Sequence, residues 1–474
     1  MTTQDIQLIK STYDPKDCEV GIIHVGPGNF HRSHQAVYVH KLMSELGLRN
    51  WGIAGVSIRG EGKALLDEFK KCGGKYILET ISSSGDFCHE EITSIVNLYD
   101  WQSEQQDVLP LFTLDTVQML TITVTESGYY LNNGGSLDVD AKEIVEDLSS
   151  DSPKTVFGFL YQGLRHRMNS GGKPITVVCC DNLQNNGKLL ESCFNQYVEL
   201  MGDQDLLNWL SLNASFPCGM VDRITPKPST EVVDSIKDKY NLSGGCVVIA
   251  EDYIQWVLED NFAGNKPPLD KVGVQIVKDV HPYEETKIRI LNAGHTALAY
   301  LGVLEGYKTY DQAIRDSKLS EFFNCIQKRE VLPALPTDYP IDYPSYLATT
   351  EKRFTNQHIS DSLERICMDG VEKFKVFLKP TIEGMLAKGS IPTHSLRVIA
   401  SWYVFSYMVL NKNIETNYYE PSWDLLVSYL DGDKVREFAS SAELWGDIPE
   451  RHSSFVEALV CEIEEMKLHY LGKI

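Results

Sequence analysis

The chain has 474 residues, 43% of them hydrophobic, and its 66 acidic against 44 basic side chains give a net charge of -22. That length exceeds what one hydrophobic core usually supports, so two folded domains are expected. The acidic balance disfavours a general role on nucleic acid or on an anionic membrane surface, although a local basic pocket can still receive a small anionic substrate.

Residues Met1 to Lys16 are polar and hold no apolar signal core, which makes a cytoplasmic protein the expectation. The 11 cysteines form no Cys-x-x-Cys pair, and several lie in apolar runs, as Cys179, Cys180 and Cys246 do. They read as reduced core thiols, not as a zinc site or a disulfide framework.

In chain order, the first informative stretch is Glu19 to Gly26, a short apolar run followed by Pro27-Gly28-Asn29-Phe30 and a helical pattern through Val37, Val39 and Leu42. Strand, glycine turn and helix is the order in which a pyrophosphate meets free backbone N–H groups at a helix start. Gly26 and Gly28 would let the backbone approach the phosphates. The usual third glycine is missing, and a glycine turn with no ligand fits the same residues. His31-Arg32-Ser33-His34 has near metal-ligand spacing but no accompanying third and fourth ligand, so no metal is expected. His31 and Arg32 are instead read as a helix-opening cluster within reach of phosphate or ribose.

A second apolar run, Trp51 to Val56, ends in Ser57-Ile58-Arg59-Gly60-Glu61. In a dinucleotide fold an acidic group after this strand accepts from the ribose 2′-hydroxyl and repels a 2′-phosphate, so Glu61 points to NAD, while Arg59 keeps NADP open. Two more apolar strands, Leu120 to Val124 and Ile175 to Cys180, end in polar loops holding Glu126, Asp181 and Asn182, with Asn185 and Asn186 close behind. Those ends face the ligand crevice of a parallel sheet, although turn and helix-cap chemistry suits the same residue types. Helical periodicity over Asp140 to Leu148 and Thr155 to Met168 completes the alternation of a doubly wound sheet.

Beyond Asp222-Arg223, helix is expected at Val232 to Tyr240, and strands at Gly245 to Ala250 and Val272 to Ile276. From Tyr283 almost everything reads as helix. The domains are therefore placed at 1–281 and 282–474, with 216–231 left open to the second, and the active site in the cleft between them. Lys287-Ile-Arg-Ile-Leu-Asn292-Ala-Gly-His295 gathers an amine, an amide and an imidazole. At 3.6 residues per turn each residue advances roughly 100°, so these three fall within an arc of about 140°. A surface lysine, a helix irregularity and an ordinary histidine are the plainer alternative. Pro333 to Pro344 reads as an irregular connection, and Trp402 to Leu410 as a buried helix too short to span a bilayer. Arg365 and Lys373, eight positions apart, share nearly one helix face and could grip hydroxyls or a carboxylate, or form a solvated basic stripe.

Together these motifs resemble the polyol-specific long-chain dehydrogenase family, the mannitol 2-dehydrogenase and fructuronate reductase group. The matching stretches are Gly26 to Ala36, Thr125 to Tyr129, Cys180-Asp181-Asn182, Asp222 to Pro226, Gln255 to Asp260, Pro282 to His295, and Arg365 with Asp369-Gly370. The resemblance implies a metal-free dehydrogenase with an N-terminal Rossmann domain and a mostly helical C-terminal domain. In it Lys287 is the general base, Asn292 and Asn182 donate to the oxyanion, His295 orients substrate, and Glu284 lies on the proton's route to water. Asp222, Arg365 and Lys373 match substrate positions. The family's acidic pair at the ribose is broken here, where Gly60 precedes Glu61. The expected activity is NAD-dependent interconversion of a hexitol and a ketose by a monomer, mannitol and fructose first and D-arabinitol as a further substrate. The alternatives are a hexuronate reductase and a dinucleotide-binding protein without turnover. A neutral lysine suits the base role if burial and nearby cations bring its pKa from about 10.4 toward 7 or 8.

Overall fold

A computed structural model describes residues 6–59, 63–132, 134–244, 246–359 and 361–472. The chain forms two compact units, one running to His281 and one from Pro282, with Ser83–Gly85 clustering with the second.

In the first unit a six-stranded sheet runs Ile95–Asp100, Gly52–Ser57, Val20–Val25, Met119–Ile122, Ile175–Cys179, Ala214–Ser215, and every neighbouring pair is parallel. Numbered along the chain this is the order 3-2-1-4-5-6 of a dinucleotide-binding fold, whose strand order reverses between Val20–Val25 and Met119–Ile122. The central strands are buried on both faces, which is why they read as near-continuous apolar runs. Helices such as Gln35–Glu45 and Val156–Asn169 cover them, the second capped by Thr155 Oγ1 accepting from Gly158 N at 3.1 Å.

Two smaller sheets complete the unit. One orders Leu8–Ile9, Phe87–Ile92, Tyr76–Ile81 and Val247–Glu251; the other orders Gly219–Asp222, Gln255–Glu259 and Gln275–Val277. Residues 216–231 cluster with this unit. Pairing of Gly219–Asp222 with Gln255–Glu259 holds them, as do the Arg223 bonds to Glu251 O and Ser33 O. The stretch expected as a strand over Val272 to Ile276 is instead the end of a 3-10 turn, Leu269–Val272, and the start of the strand Gln275–Val277. Gly273 at φ 101° makes the break, a conformation that side chains with a Cβ rarely adopt.

In the second unit every described element is helical. Thr393–Leu410 is buried along most of its length and packs against Ala293–Leu304 and Ser453–Tyr470. Three segments are wound as π-helix, Lys287–Asn292, Gln327–Val331 and Phe374–Leu378, and the first packs against both others. Among the described residues no helix is long and apolar enough to cross a membrane.

Candidate active site

The strand Val20–Val25 leads into Gly26 at φ 84°. A Cβ there would stand 2.0 Å from Thr123 O, so only glycine fits. Gly26 O is the hub of the turn. It accepts from Gly28 N at 2.7 Å and Thr123 Oγ1 at 2.7 Å, and it lies 3.2 Å from His24 Nε2. Gly28 differs. It caps the helix Asn29–Ser33 at φ -74°, and an added Cβ would meet nothing nearer than Gly26 O at 3.9 Å. The protein's own packing does not require glycine at Gly28, whereas a pyrophosphate approaching the helix N-terminus would. That open cradle is the observation that fits a dinucleotide.

Two residues expected at the phosphates are turned inward. His31 is buried and stacks on His24 with ring centroids 3.3 Å apart, and burial pushes its imidazole well below the usual range, so it is neutral. Arg32 is buried too, donating to Gly28 O at 3.3 Å and to Asn29 Oδ1 at 2.6 Å. Both therefore shape the turn from beneath. His34 is drawn off to Gln255 O at 2.7 Å, and Phe30 stacks on its ring at 5.0 Å. Among the described residues no group of three or more His, Cys, Asp or Glu is arranged to hold a metal.

After the strand Gly52–Ser57, Arg59 is exposed and donates to the Tyr130 hydroxyl at 3.1 Å. Glu61, expected at the ribose, lies outside the described residues. Glu126 is exposed at the start of the 3-10 turn Glu126–Tyr129. Thr125, just before it, sits at φ 71° and ψ 159°. That region is open almost only to glycine and costs other residues about 1–3 kcal/mol. Asp181 accepts from Val124 N at 3.0 Å, Thr125 N at 3.2 Å and the Tyr129 hydroxyl at 2.7 Å. Burial raises its carboxyl pKa, and these three bonds act in the opposite direction.

The three neighbouring asparagines separate cleanly. Asn186 is fully buried, bonding Cys179 O, Asp181 O and Gly219 O through Nδ2 and Gly219 N through Oδ1. Asn185 takes a left-handed conformation before the helix Asn186–Leu200. Asn182 is exposed at the strand end. Asp222 is buried at the end of the strand Gly219–Asp222.

In the second unit Lys287 and Glu284 are both buried, on consecutive turns of one helical run. The run is α-helical to Thr286, π-helical over Lys287–Asn292, and α-helical again from Ala293. The arc of about 140° holds for a regular α-helix. With Ala293 N–H bonded to Ile288 O, the i→i+5 pairing brings Asn292 round more nearly above Lys287 than α-winding would. Gln327 Nε2 donates to Ile290 O at 3.0 Å, and buried Arg289 is held by Glu285 Oε1 at 2.8 Å and Thr381 Oγ1 at 3.3 Å. Asn292 Oδ1 is buried with no hydrogen-bond partner among the described residues. His295 is gripped by the rings of Phe354 at 4.2 Å and Tyr310 at 4.7 Å, and the Tyr310 hydroxyl donates to Gly294 O at 2.8 Å.

The two cations expected for substrate are not equivalent. Arg365 is 67% exposed at its side chain and paired with Asp361 in a bidentate manner. Lys373 donates to Ile366 O at 2.9 Å, and burial lowers its ammonium pKa. The supporting residues His24, Thr123, Gln327 and Tyr310 were not singled out by sequence; His24 and Thr123 are marked only as polar side chains inside apolar runs, and Gln327 and Tyr310 carry no local signal.

The description "Mannitol dehydrogenase Rossmann domain" matches residues 20–271, and "Mannitol dehydrogenase C-terminal domain" matches residues 279–467. The D-arabinitol 4-dehydrogenase of Klebsiella pneumoniae is 35% identical over 90% of this chain and 94% of its own. The Polyol:NADP oxidoreductase of Gluconobacter oxydans is 36% identical over 78% of this chain and 76% of its own. Among solved structures, Pseudomonas fluorescens mannitol 2-dehydrogenase in ternary complex with NAD and D-mannitol superposes with a TM-score of 0.84. Its identity is 32%, covering 98% of this chain and 95% of that one. With both halves matched in order and the strand order of a dinucleotide fold in place, the chain belongs to the mannitol dehydrogenase family, oxidoreductases of polyols that act on a secondary alcohol.

Proposed function

We propose that the protein interconverts a hexitol and a ketose with NAD, D-mannitol and D-fructose first and D-arabinitol as a further substrate, without a metal ion. The observation that carries this reading is the buried side-chain amide of Asn292, whose Oδ1 bonds nothing among the described residues, one helical turn from the buried amine of Lys287. An amide can be turned to present either its oxygen or its nitrogen, so a buried one with an open valence is a donor in waiting.

In this reading Lys287 takes the hydroxyl proton and Glu284 passes it on toward water. Asn292 and Asn182 donate to the oxygen as it gains negative charge, and preorganised donors of this kind contribute about 2.7 to 4 kcal/mol each. His295, held between two aromatic rings, orients the polyol. Asp222 and Lys373 bind its hydroxyls, with Arg365 at the margin. Gly26, Gly28, Asn29 and Phe30 would hold the dinucleotide's phosphates, Arg59, Glu61 and Glu126 its outer parts, and His31, Arg32 and Asp181 act beneath them. The dinucleotide supplies hydride acceptance when bound. Arg365 is already paired with Asp361, so a hexuronate carboxylate would depend on Lys373.

The test is NADH oxidation over a panel of ketoses and hexuronates. Fructose is expected to be turned over and fructuronate not. Lys287→Ala should lower turnover by roughly a hundredfold to ten-thousandfold, the usual share of a general base, with NADH affinity unchanged. Near-normal turnover in the folded variant would refute the assignment.

A further inference from the structure

The carboxylate at the exit of the strand Ile175–Cys179 makes more bonds than a turn residue needs. Two consecutive main-chain amides, Val124 N at 3.0 Å and Thr125 N at 3.2 Å, converge on Asp181, joined by the Tyr129 hydroxyl at 2.7 Å. All three donors belong to the exit of the neighbouring strand Met119–Ile122, beside the point where the sheet order reverses. These bonds grip the chain on both sides of Thr125, at its own amide and at Tyr129 four residues on, and Thr125 makes the bend between them at φ 71° and ψ 159°. Such a conformation persists in a β-branched residue only where its surroundings over-determine it.

The other end of Asp181 is fixed as well. Its carbonyl accepts from Asn186 Nδ2 at 3.1 Å, and the same amide reaches Cys179 O at 3.2 Å and Gly219 O at 2.8 Å. The residue that follows is Asn182. One side chain thus joins the turn carrying Glu126 to the backbone carrying Asn182.

We propose that Asp181 is a positioning residue: by holding Thr125 in its strained conformation, its carboxylate sets Glu126 and Asn182 as one rigid piece at the dinucleotide end of the sheet. The inference rests on the reading of Asn182 as a donor to the reacting oxygen. A shift of about 1 Å in such a group can cost on the order of a hundredfold in rate. In Asp181→Asn the amide offers a donor where the carboxylate accepted, so at least one amide bond is lost and Thr125 relaxes.

Asp181→Asn should lower kcat with fructose tenfold or more and weaken NADH binding several-fold. The primary isotope effect with 4-deuterated NADH should rise, because hydride transfer becomes slower than product release. Adding Thr125→Gly should restore much of the lost kcat, since glycine holds φ 71° without the clamp. Rates are taken per folded enzyme, so a role in bulk stability alone would leave kcat at the wild-type value with nothing to rescue. A single variant within twofold of wild type in kcat and NADH affinity overturns the proposal. So does a double variant no better than the single one, and if Asp181→Asn fails to fold, the same comparison is made on yield of folded, active protein. Asn182→Ala separates the two ideas: full turnover there removes the oxyanion reading, while the NADH affinities of Asp181→Asn and its double variant still decide the clamp.

Discussion

Gly26 and Gly28 are two residues apart and predict opposite failures. At Gly26 an alanine would take a left-handed backbone, at about 1–2 kcal/mol, and drive its Cβ to 2.0 Å from Thr123 O. The turn would have to open, giving up the Thr123 Oγ1 and His24 contacts to Gly26 O at roughly 1 kcal/mol each. The sum is on the order of 3–4 kcal/mol, a large part of a typical stability of about 5–15 kcal/mol. At Gly28 the backbone is ordinary and the added methyl meets only Gly26 O at 3.9 Å. Loss of a favoured glycine cap and the reduced freedom of the unfolded chain nearly offset, so stability should stay within about 1 kcal/mol. Under the proposed phosphate contact, the methyl would instead occupy the path of the pyrophosphate. A tenfold or greater rise in the NADH Kd is expected, at least about 1.4 kcal/mol. Urea unfolding and fluorescence titration with NADH measure the two effects separately. Gly28→Ala binding NADH as tightly as wild type would show that no phosphate approaches this backbone, and Gly26→Ala with a wild-type urea midpoint would refute the strain argument.

Acid should destabilise the first unit through three buried imidazoles, His24 held down to about 3, His31 well below the usual range and His40 to about 4 by burial, in His40 despite Glu90 at 3.8 Å. Because their folded pKa values are lowered, the unfolded chain takes up protons first. Their stabilisation is whole above about pH 6.5 and falls by roughly 1.4 kcal/mol per group for each unit below it. The unfolding free energy from urea titration should therefore be lower at pH 5 than at pH 7.5, by about 2 kcal/mol for each of His24 and His40, and His40→Gln should remove its share; an unchanged slope in that variant would speak against the assignment. Glu61→Lys should move the ratio of kcat/KM for NAD over NADP toward NADP, and a ratio that does not move would mean that Glu61 does not face the ribose. Chelation with EDTA should leave turnover intact under the lysine mechanism, and zinc-restorable loss would overturn it.

The parallel sheet was legible because its central strands are buried on both faces and end in glycine or polar clusters. Tyr76–Ile81, Phe87–Ile92 and Ile95–Asp100 were not anticipated. Phe87-Cys-His-Glu-Glu-Ile92 looks like surface chain until His89 is seen against Glu79 at 2.6 Å, a pairing across the hairpin that one-dimensional pattern cannot show. Residue types mark the glycine turn, Asn182 and the lysine helix as candidates, but not the direction of their side chains. His31 and Arg32 read as a helix-opening cluster within reach of phosphate or ribose, and the structure buries both under the turn. The π-winding of Lys287–Asn292 leaves no compositional mark either, since its residues would suit an α-helix equally well.

That winding makes the phase of the helix a matter of counting. In passing from α to π and back to α, the run from His281 to Leu304 takes in more residues per turn over Lys287–Asn292, and everything before that segment is rotated relative to everything after it. Winding the same residues as regular α-helix, with none removed, would turn everything after the segment by roughly one residue's 100° relative to everything before it. Lys287 and Glu284 would then swing away from the direction shared with Asn292 and His295, although none of the four had been altered. Under the lysine reading, a chain of this kind could lose its chemistry through a substitution that favours α-winding and spares every functional residue, whereas a one-residue deletion inside the segment would turn i→i+5 pairs into i→i+4 pairs and leave the flanks in phase.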